Sequence, residues 1–215
     1  MLESMVLESI NVGNVETISH GNKSHSTGIC KYPVAGPVYL GELGISGDAV
    51  VDSEHHGGVD QAVYAYSADD YDWWAEQSNR EFTPGLFGEN LTIRGLPSDM
   101  NVGDRLLIGE VVLEATSPRI PCSTLATKMR DTDFGLAFRR AERPGFYFRV
   151  LNSGDLTVGD AVTYVANHSN DVSMLELFRF NYALQHEVDE LKRFLQAPIA
   201  IRFREKIERK LLPNG

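Results

Sequence analysis

Cysteine is scarce in this chain: two stand among 215 residues, Cys30 and Cys122. That is too few for a disulfide framework in a chain of this length, so both are expected to be free thiols. Long apolar runs are missing as well. No stretch approaches the roughly 18 consecutive apolar residues that a membrane-crossing helix needs, and no membrane span is predicted. The opening MLESMVLESI carries glutamates where a secretory signal would carry basic residues, and a cytoplasmic location is expected. Positive charge is in short supply too, with 20 Lys and Arg against 30 Asp and Glu and a net charge of −10. Affinity for a phosphate backbone rests on dense basic side chains, so broad nucleic-acid binding is not expected. The chain also lacks a nucleophile elbow, a P-loop and a GxGxxG dinucleotide turn, which argues against a hydrolase, an NTPase or a Rossmann dehydrogenase.

The basic residues that are present are unevenly spread. Residues 1–118 hold 5 basic and 18 acidic side chains, whereas residues 119–149 hold 7 basic and 3 acidic. A local basic segment in an acidic protein suits a small anionic ligand. A solvated helix face laced with ion pairs would give the same count.

The first 165 residues read as short strands broken by turns. TGICKYPVAGPVYLGELGI has Gly or Pro every few residues, which forbids a long helix and suits strands joined tightly. VGDRLLIGEVVLEATS reads as two strands meeting at 108–110, and GFYFRVL and AVTYVA as strands on either side of a turn-like NSGDLTVGD. Gly-Asp recurs at 47–48, 103–104, 154–155 and 159–160, and each pair is expected in a turn. Helices are few: SADDYDWWAEQ with Ser67 as N-cap and acidic residues in its first turn, TLATKMR capped by Ser123, and FGLAFRRAE. Many short strands with few helices predict a mainly β fold, a closed or nearly closed barrel with peripheral helices. After NHSND the apolar spacing becomes helical. Three short helices are predicted over about 171–211, with Pro198 in a first helical turn. The expected organisation is therefore a barrel domain over 1–168 and a three-helix domain over 169–215.

Three stretches hold candidate site residues. In SPRIPCSTLATK (117–128), Cys122 follows Arg119 and precedes Lys128 near an expected helix start. Positive charge and a helix N-terminus both favour the thiolate, the reactive and metal-binding form, and Pro118 and Pro121 stiffen the approach. A small buried hydrophobe is the alternative for any free cysteine. Cys30, expected on a strand beside Lys31 with no helix start nearby, reads as packing. In GDAVVDSEHHGGVDQAVYAYS (47–67), His55 and His56 beside Asp52 and Glu54 invite a metal reading. Adjacent histidines on an extended chain, however, point to opposite sides. His56, Gly57 and Gly58 are read instead as a ligand-cradling turn, because glycine permits close backbone approach and clustered N–H donors suit an anion; an ordinary turn is the alternative. In FGENLTI (87–93), Asn90 can both donate and accept, as reading a heterocycle edge requires. A turn asparagine would look the same.

Taken in order, LGISGD (43–48), HHGGVDQAVYAYS (55–67), FGENLTI (87–93), VGDRLLIG (102–109), SPRIPC (117–122) and RPGFYFRVL (143–151) before VGD (158–160) resemble the MOSC domain family. That family is named for the C-terminal domain of molybdenum cofactor sulfurases. The matching stretches cover nearly all of residues 5–165, and the three-helix tail is similar to that of the bacterial YiiM-like branch. The resemblance implies a barrel that binds the molybdenum cofactor and reduces N-hydroxylated compounds, among them N-hydroxylated purines such as 6-hydroxylaminopurine. The family's cysteine, a molybdenum ligand, falls on Cys122. Arg119, Lys31 and Lys128 would then neutralise the pterin phosphate and dithiolene charge, while His56, Gly57, Gly58 and Asn90 would shape the pocket. A soft thiolate suits a transition metal. The implied reaction cleaves the N–O bond to give an amine and water, with the cofactor carrying the electronic chemistry and the protein supplying orientation and charge. No flavin or iron–sulfur motif is present, so electrons are expected from a separate reductase. Ser123, Thr124 and Leu125 are smaller than the residues expected after this cysteine, which bears on substrate preference. Two other readings remain open, a non-catalytic carrier of cofactor or sulfur and an interaction module that uses the helical tail. A homodimer is the oligomer to expect.

Overall fold

The computed structural model describes residues 5–21, 23–51, 57–78 and 80–212, and within them thirteen strands and six α-helices. The His55–His56 pair, with Asp52 and Glu54, lies outside the described residues. The main sheet has eight strands, numbered here by chain order. In space they run β13 (Val162–Val165), β9 (Arg105–Ile108), β10 (Val111–Pro118), β11 (Phe146–Asn152), β7 (Val63–Ser67), β8 (Leu91–Arg94), β1 (Val6–Gly13) and β4 (Lys31–Pro33). All neighbours are antiparallel except β7 and β8, which are parallel. A parallel pair needs a crossover, and α1 (Ala68–Gln77) supplies it, with the Ser67 side chain accepting from Asp70 N as the sequence predicts.

Strand β9 shows why the sheet has one wet and one dry face here. Leu106 and Ile108 are buried while Arg105 points out, and they pair across the ladder with Leu113 and Val111 of β10. Strand β10 is buried along nearly its whole length, as expected where structure packs on both sides. The sheet curls back on itself. Leu7 N donates to Asp160 O at 3.0 Å, Gly159 N to Leu7 O at 2.8 Å and Val162 N to Met5 O at 3.0 Å, so β1 also meets the chain entering β13. Only an isolated bridge, Val6 to Ala161, forms at this seam. The architecture is thus a curled mixed sheet with six α-helices, where a mainly β barrel was expected, and no closed ladder forms among the described residues.

Two smaller sheets complete the strands. The hairpin β2 (Glu16–His20) and β3 (Lys23–Thr27) stands alone, and β12 (Gly154–Leu156) pairs with β5 (Val38–Gly41), which pairs with β6 (Gly44–Ile45). Gly154-Asp155 is therefore strand, which corrects the turn expected there. The other three Gly-Asp pairs do turn, with Gly47, Gly103 and Gly159 at positive φ. Cys30 also departs from expectation: it is buried, but precedes β4 instead of lying within a strand.

Helix α2 (Ser123–Met129) starts one residue earlier than predicted. Cys122 is its N-cap, with φ −117° and ψ 171°, and Ser123 is already helical. Helix α3 (Phe134–Ala141) follows. Together with α1 it encloses an aromatic cluster that includes Tyr66, Trp74, Phe87 and Phe138, in which Trp74 Nε1 donates to Tyr66 OH at 2.8 Å.

The tail forms α4 (Met174–Phe180), α5 (Val188–Gln196) and α6 (Ile201–Leu211). Helix α4 begins with a capping box, Ser173 Oγ accepting from Glu176 N and the Glu176 carboxylate from Ser173 N. It ends sooner than the apolar spacing suggests because Leu184 finds nothing to cover it and is 98% exposed. Pro198 lies between helices: Ala200 N donates to Thr116 O of β10, which keeps this segment extended until Ile201. Leu177, Phe194, Phe203 and Ile207 belong to the same apolar cluster as Leu7, Leu106, Leu113 and Phe148, so tail and sheet share a core. No helix among the described residues is long and apolar enough to cross a membrane.

Candidate functional site

A cavity of about 360 Å³ opens beside the β2–β3 hairpin. Its walls come from that hairpin and Lys31, from residues 48–51, from Gln61, Ala62 and Tyr64 at the start of β7, from Gly88 and Asn90 before β8, and from the Arg119–Thr124 turn with Tyr147. Four of the residues singled out in the sequence, Lys31, Asn90, Arg119 and Cys122, meet here from three separate stretches of the chain.

One wall is an internally satisfied network. The Lys31 ammonium and the Asp48 carboxylate form an ion pair, with their side chains 8% and 7% exposed. Asp48 Oδ1 also accepts from Gly13 N at 2.8 Å, and Oδ2 from Asn90 Nδ2 at 2.9 Å. Burial pulls the Lys31 pKa below its ordinary value even though Asp48 opposes the shift. Asn90 gives its second amide proton to Asn11 O at 3.3 Å and accepts from Tyr64 N at 3.3 Å through Oδ1. An amide has two N–H donors, and both are engaged. Asn90 therefore anchors Asp48 and ties β1 to β7, with both of its N–H donors spent within the chain. Likewise the Lys31 charge is met by Asp48.

The Arg119–Thr124 part of the lining holds unspent charge. Arg119 is 4% exposed; its Nη1 donates to Tyr147 OH at 3.1 Å and its Cζ lies 5.2 Å from the Tyr64 ring centroid. Its Nε is buried with no acceptor, and it forms no ion pair among the described residues. Burial favours the neutral form, but the surrounding Tyr147, Cys122 and Tyr64 outweigh it, and the guanidinium stays charged. Cys122 is half-buried on the same wall, at the N-cap of α2 where the chain turns from extended to helical.

Lys128 is elsewhere. Its Nζ donates to Ile29 O and to Gly85 O, each at 2.9 Å, and it is outside the cavity lining. Burial pulls its pKa down to about 8, with Cys30 and Glu89 opposing. It thus stands near Cys30, whose own thiol is pushed up by burial. Gly57 and Gly58 are also outside the described lining, and His56 lies outside the described residues. Gly58, at φ +92°, caps a 3₁₀ turn over Val59–Gln61, and a Cβ there would meet nothing within 4 Å. No close approach demands this glycine; its backbone conformation does.

Residues 52–163 match the MOSC domain. The chain belongs to the MOSC domain family. It is 33% identical over 188 residues to the uncharacterised protein YflK of Bacillus subtilis, covering 87% of this chain and 85% of that protein. The crystal structure of YiiM from Geobacillus stearothermophilus superposes with a TM-score of 0.80 at 31% identity, covering 97% of this chain and all of that one. A protein of Gibberella moniliformis named "Reductase" is 31% identical over 200 residues, which are 90% of this chain but 35% of that protein.

The cofactor that gives the MOSC family its name offers a soft metal, an anionic phosphate and a polar pterin, and the cavity fits it on three counts. Cys122 is a soft ligand on its wall. Arg119 is a buried cation with an orphaned Nε. The volume is that of a small-molecule site. Asp48, Gln61, Tyr64 and Tyr147 of this MOSC cavity escaped the sequence reading. Asp48 stood in a motif that looked like a turn, and the two tyrosines looked like ordinary strand aromatics. His25, also in the lining, has a buried Nε2 with no partner and carried no signal at all.

Proposed function

We propose that this MOSC protein is a molybdenum-cofactor-dependent reductase of N-hydroxylated compounds, with Cys122 as the metal ligand. The observation that carries the reading is the joint placement in one cavity lining of Cys122 and the buried Arg119, which forms no ion pair among the described residues. When bound, the cofactor supplies the two-electron chemistry that cleaves an N–O bond. Overall, R–NHOH, two electrons and two protons yield R–NH₂ and water. The chain's residues bind and orient. Arg119 neutralises anionic charge in a dry setting where no carboxylate among the described residues competes for it. The Lys31–Asp48–Asn90 network holds its own part of the lining rigid. Lys128 acts from behind, fixing the carbonyl of Ile29, a lining residue, together with that of Gly85. Thr124, a small residue two positions from the thiol, shares the lining that substrate would meet.

Electrons come from a separate reductase. The Gibberella relative named "Reductase" supports reduction as the chemistry. The test is molybdenum and pterin content of protein purified without oxygen from cofactor-producing cells, with Cys122→Ser and Cys30→Ser beside it. Near-stoichiometric metal in the parent and in Cys30→Ser, and its loss from a folded Cys122→Ser, is the expected result. Equal content in all three would overturn the ligand assignment. Readily transferred cofactor without turnover of hydroxylamino compounds would mark a carrier, and a folded parent that takes up no added cofactor would mark an interaction module.

A further inference from the structure

The C-terminal helices reach the cavity through Arg202, the second residue of α6. Its Nη2 donates to Gly57 O at 3.0 Å and its Nη1 to Gln61 Oε1, and Gln61 is part of the cavity lining. Next to it, Ile201 N donates to Asp60 Oδ2 at 2.8 Å. Arg149 holds Asp60 from the other side at 2.9 Å and donates to Pro198 O at 3.0 Å. The segment 57–61 is therefore bonded at three residues to the start of α6 and its approach.

Little of this segment is buried, and besides the ties to α6, Thr116 Oγ1 of β10 donates to Asp60 O at 2.6 Å. The 3₁₀ turn Val59–Gln61 contains no buried residue, and Val59 is 47% exposed. A turn with no apolar anchor is placed by its hydrogen bonds, and charge-assisted bonds from a guanidinium are the strongest available here. We propose that Arg202 is a positioning residue for the cavity, holding Gln61 in the lining and making α6 part of the binding site. The identity of the ligand rests on the functional reading above; the coupling of Arg202 to Gln61 does not.

The test uses the full chain as wild type, Arg202→Ala, Arg202→Lys, Gln61→Ala and the Arg202→Ala/Gln61→Ala double variant. In Arg202→Ala, backbone amides of 57–61 should exchange with solvent about tenfold faster, the loss of a charge-assisted bond, while amides of β9 and β10 keep wild-type rates. Affinity for purified molybdopterin, followed by its fluorescence, should fall about tenfold, less in Arg202→Lys, and the double variant should bind no more weakly than Gln61→Ala. Wild-type exchange at 57–61, or affinity losses that simply add, would overturn the proposal. Should Arg202→Ala fail to fold, Arg202→Lys carries the same comparison, since an ammonium cannot span both acceptors. Failure of the wild type to bind molybdopterin would defeat the functional reading alone, and the exchange rates would still decide the positioning role.

Discussion

Asp48 and Lys31 form a buried ion pair in which the carboxylate has a second duty, accepting from Gly13 N and Asn90 Nδ2 and so joining three separate stretches of chain. Both halves depend on the negative charge and on the acceptor capacity of both oxygens.

Asp48→Asn should therefore be strongly destabilising. It leaves Lys31 as an uncompensated buried cation and sets an amide donor against one of the groups that now donate to Asp48. Breaking a buried pair from one side typically costs about 3–5 kcal/mol. The midpoint of urea unfolding reads this directly, and a cost under about 1 kcal/mol, typical of an exposed pair, would mean that the pair is hydrated in solution.

Lys128 predicts a pH dependence. Its pKa falls from 10.5 to about 8 on folding because burial penalises the charged form. Between those values the unfolded chain binds more protons than the folded one, so stability rises with pH across that window and is lost again as pH falls through about 8. Lys31, shifted in the same direction, adds to the slope. In Lys128→Met the rise in unfolding free energy between pH 8 and 9.5 should be visibly shallower than in the wild type, even though the variant also forfeits two hydrogen bonds. Parallel curves for the two proteins would show that this lysine is better solvated than its surroundings indicate.

Gly28 and Gly47 should fail for different reasons. A Cβ at Gly28 would lie 1.9 Å from Ala49 O, a backbone atom next to Asp48, whereas Gly47 has open space but φ +83°. Gly28→Ala should displace the 48–51 wall and cost more than about 3 kcal/mol, beyond ordinary overpacking. Gly47→Ala should cost about 1–2 kcal/mol from left-handed backbone alone. Thermal unfolding of the two variants separates the cases, and equal shifts would mean that the wall at Ala49 yields easily.

Much of the fold was written in local signals. The Ser67 cap and the turn at 108–110 follow from side chains that act on their own neighbourhood, and the structure has them where the sequence put them. The site was legible in part, because Cys122 and Arg119 sit three residues apart on a stiff turn. Lys128 misled because it is near Cys122 only in sequence. Six helical residues carry it about 9 Å along the axis, to the far end of α2. Asp48 was hidden among look-alikes: Asp160 takes Thr157 N and caps its own turn, while Asp48 reaches across to Gly13 and Lys31, as Asp104 reaches Tyr164 and Asn167. No local pattern separates an aspartate that serves its own loop from one that serves a distant strand. The balanced charge of the tail gave no hint that Arg202 would reach the 57–61 segment.

The seam between β1 and residues 159–162 sets a timetable for the chain as it leaves the ribosome. Met5 and Leu7 are made first, yet their partners at Gly159, Asp160 and Val162 are made after every wall of the cavity. Contacts between such remote positions form slowly and only once the intervening chain has collapsed. Until then the backbone groups of Met5 and Leu7 that face the seam are open to any neighbour, and nascent chains stalled before residue 159 should be the form of this protein most in need of a chaperone.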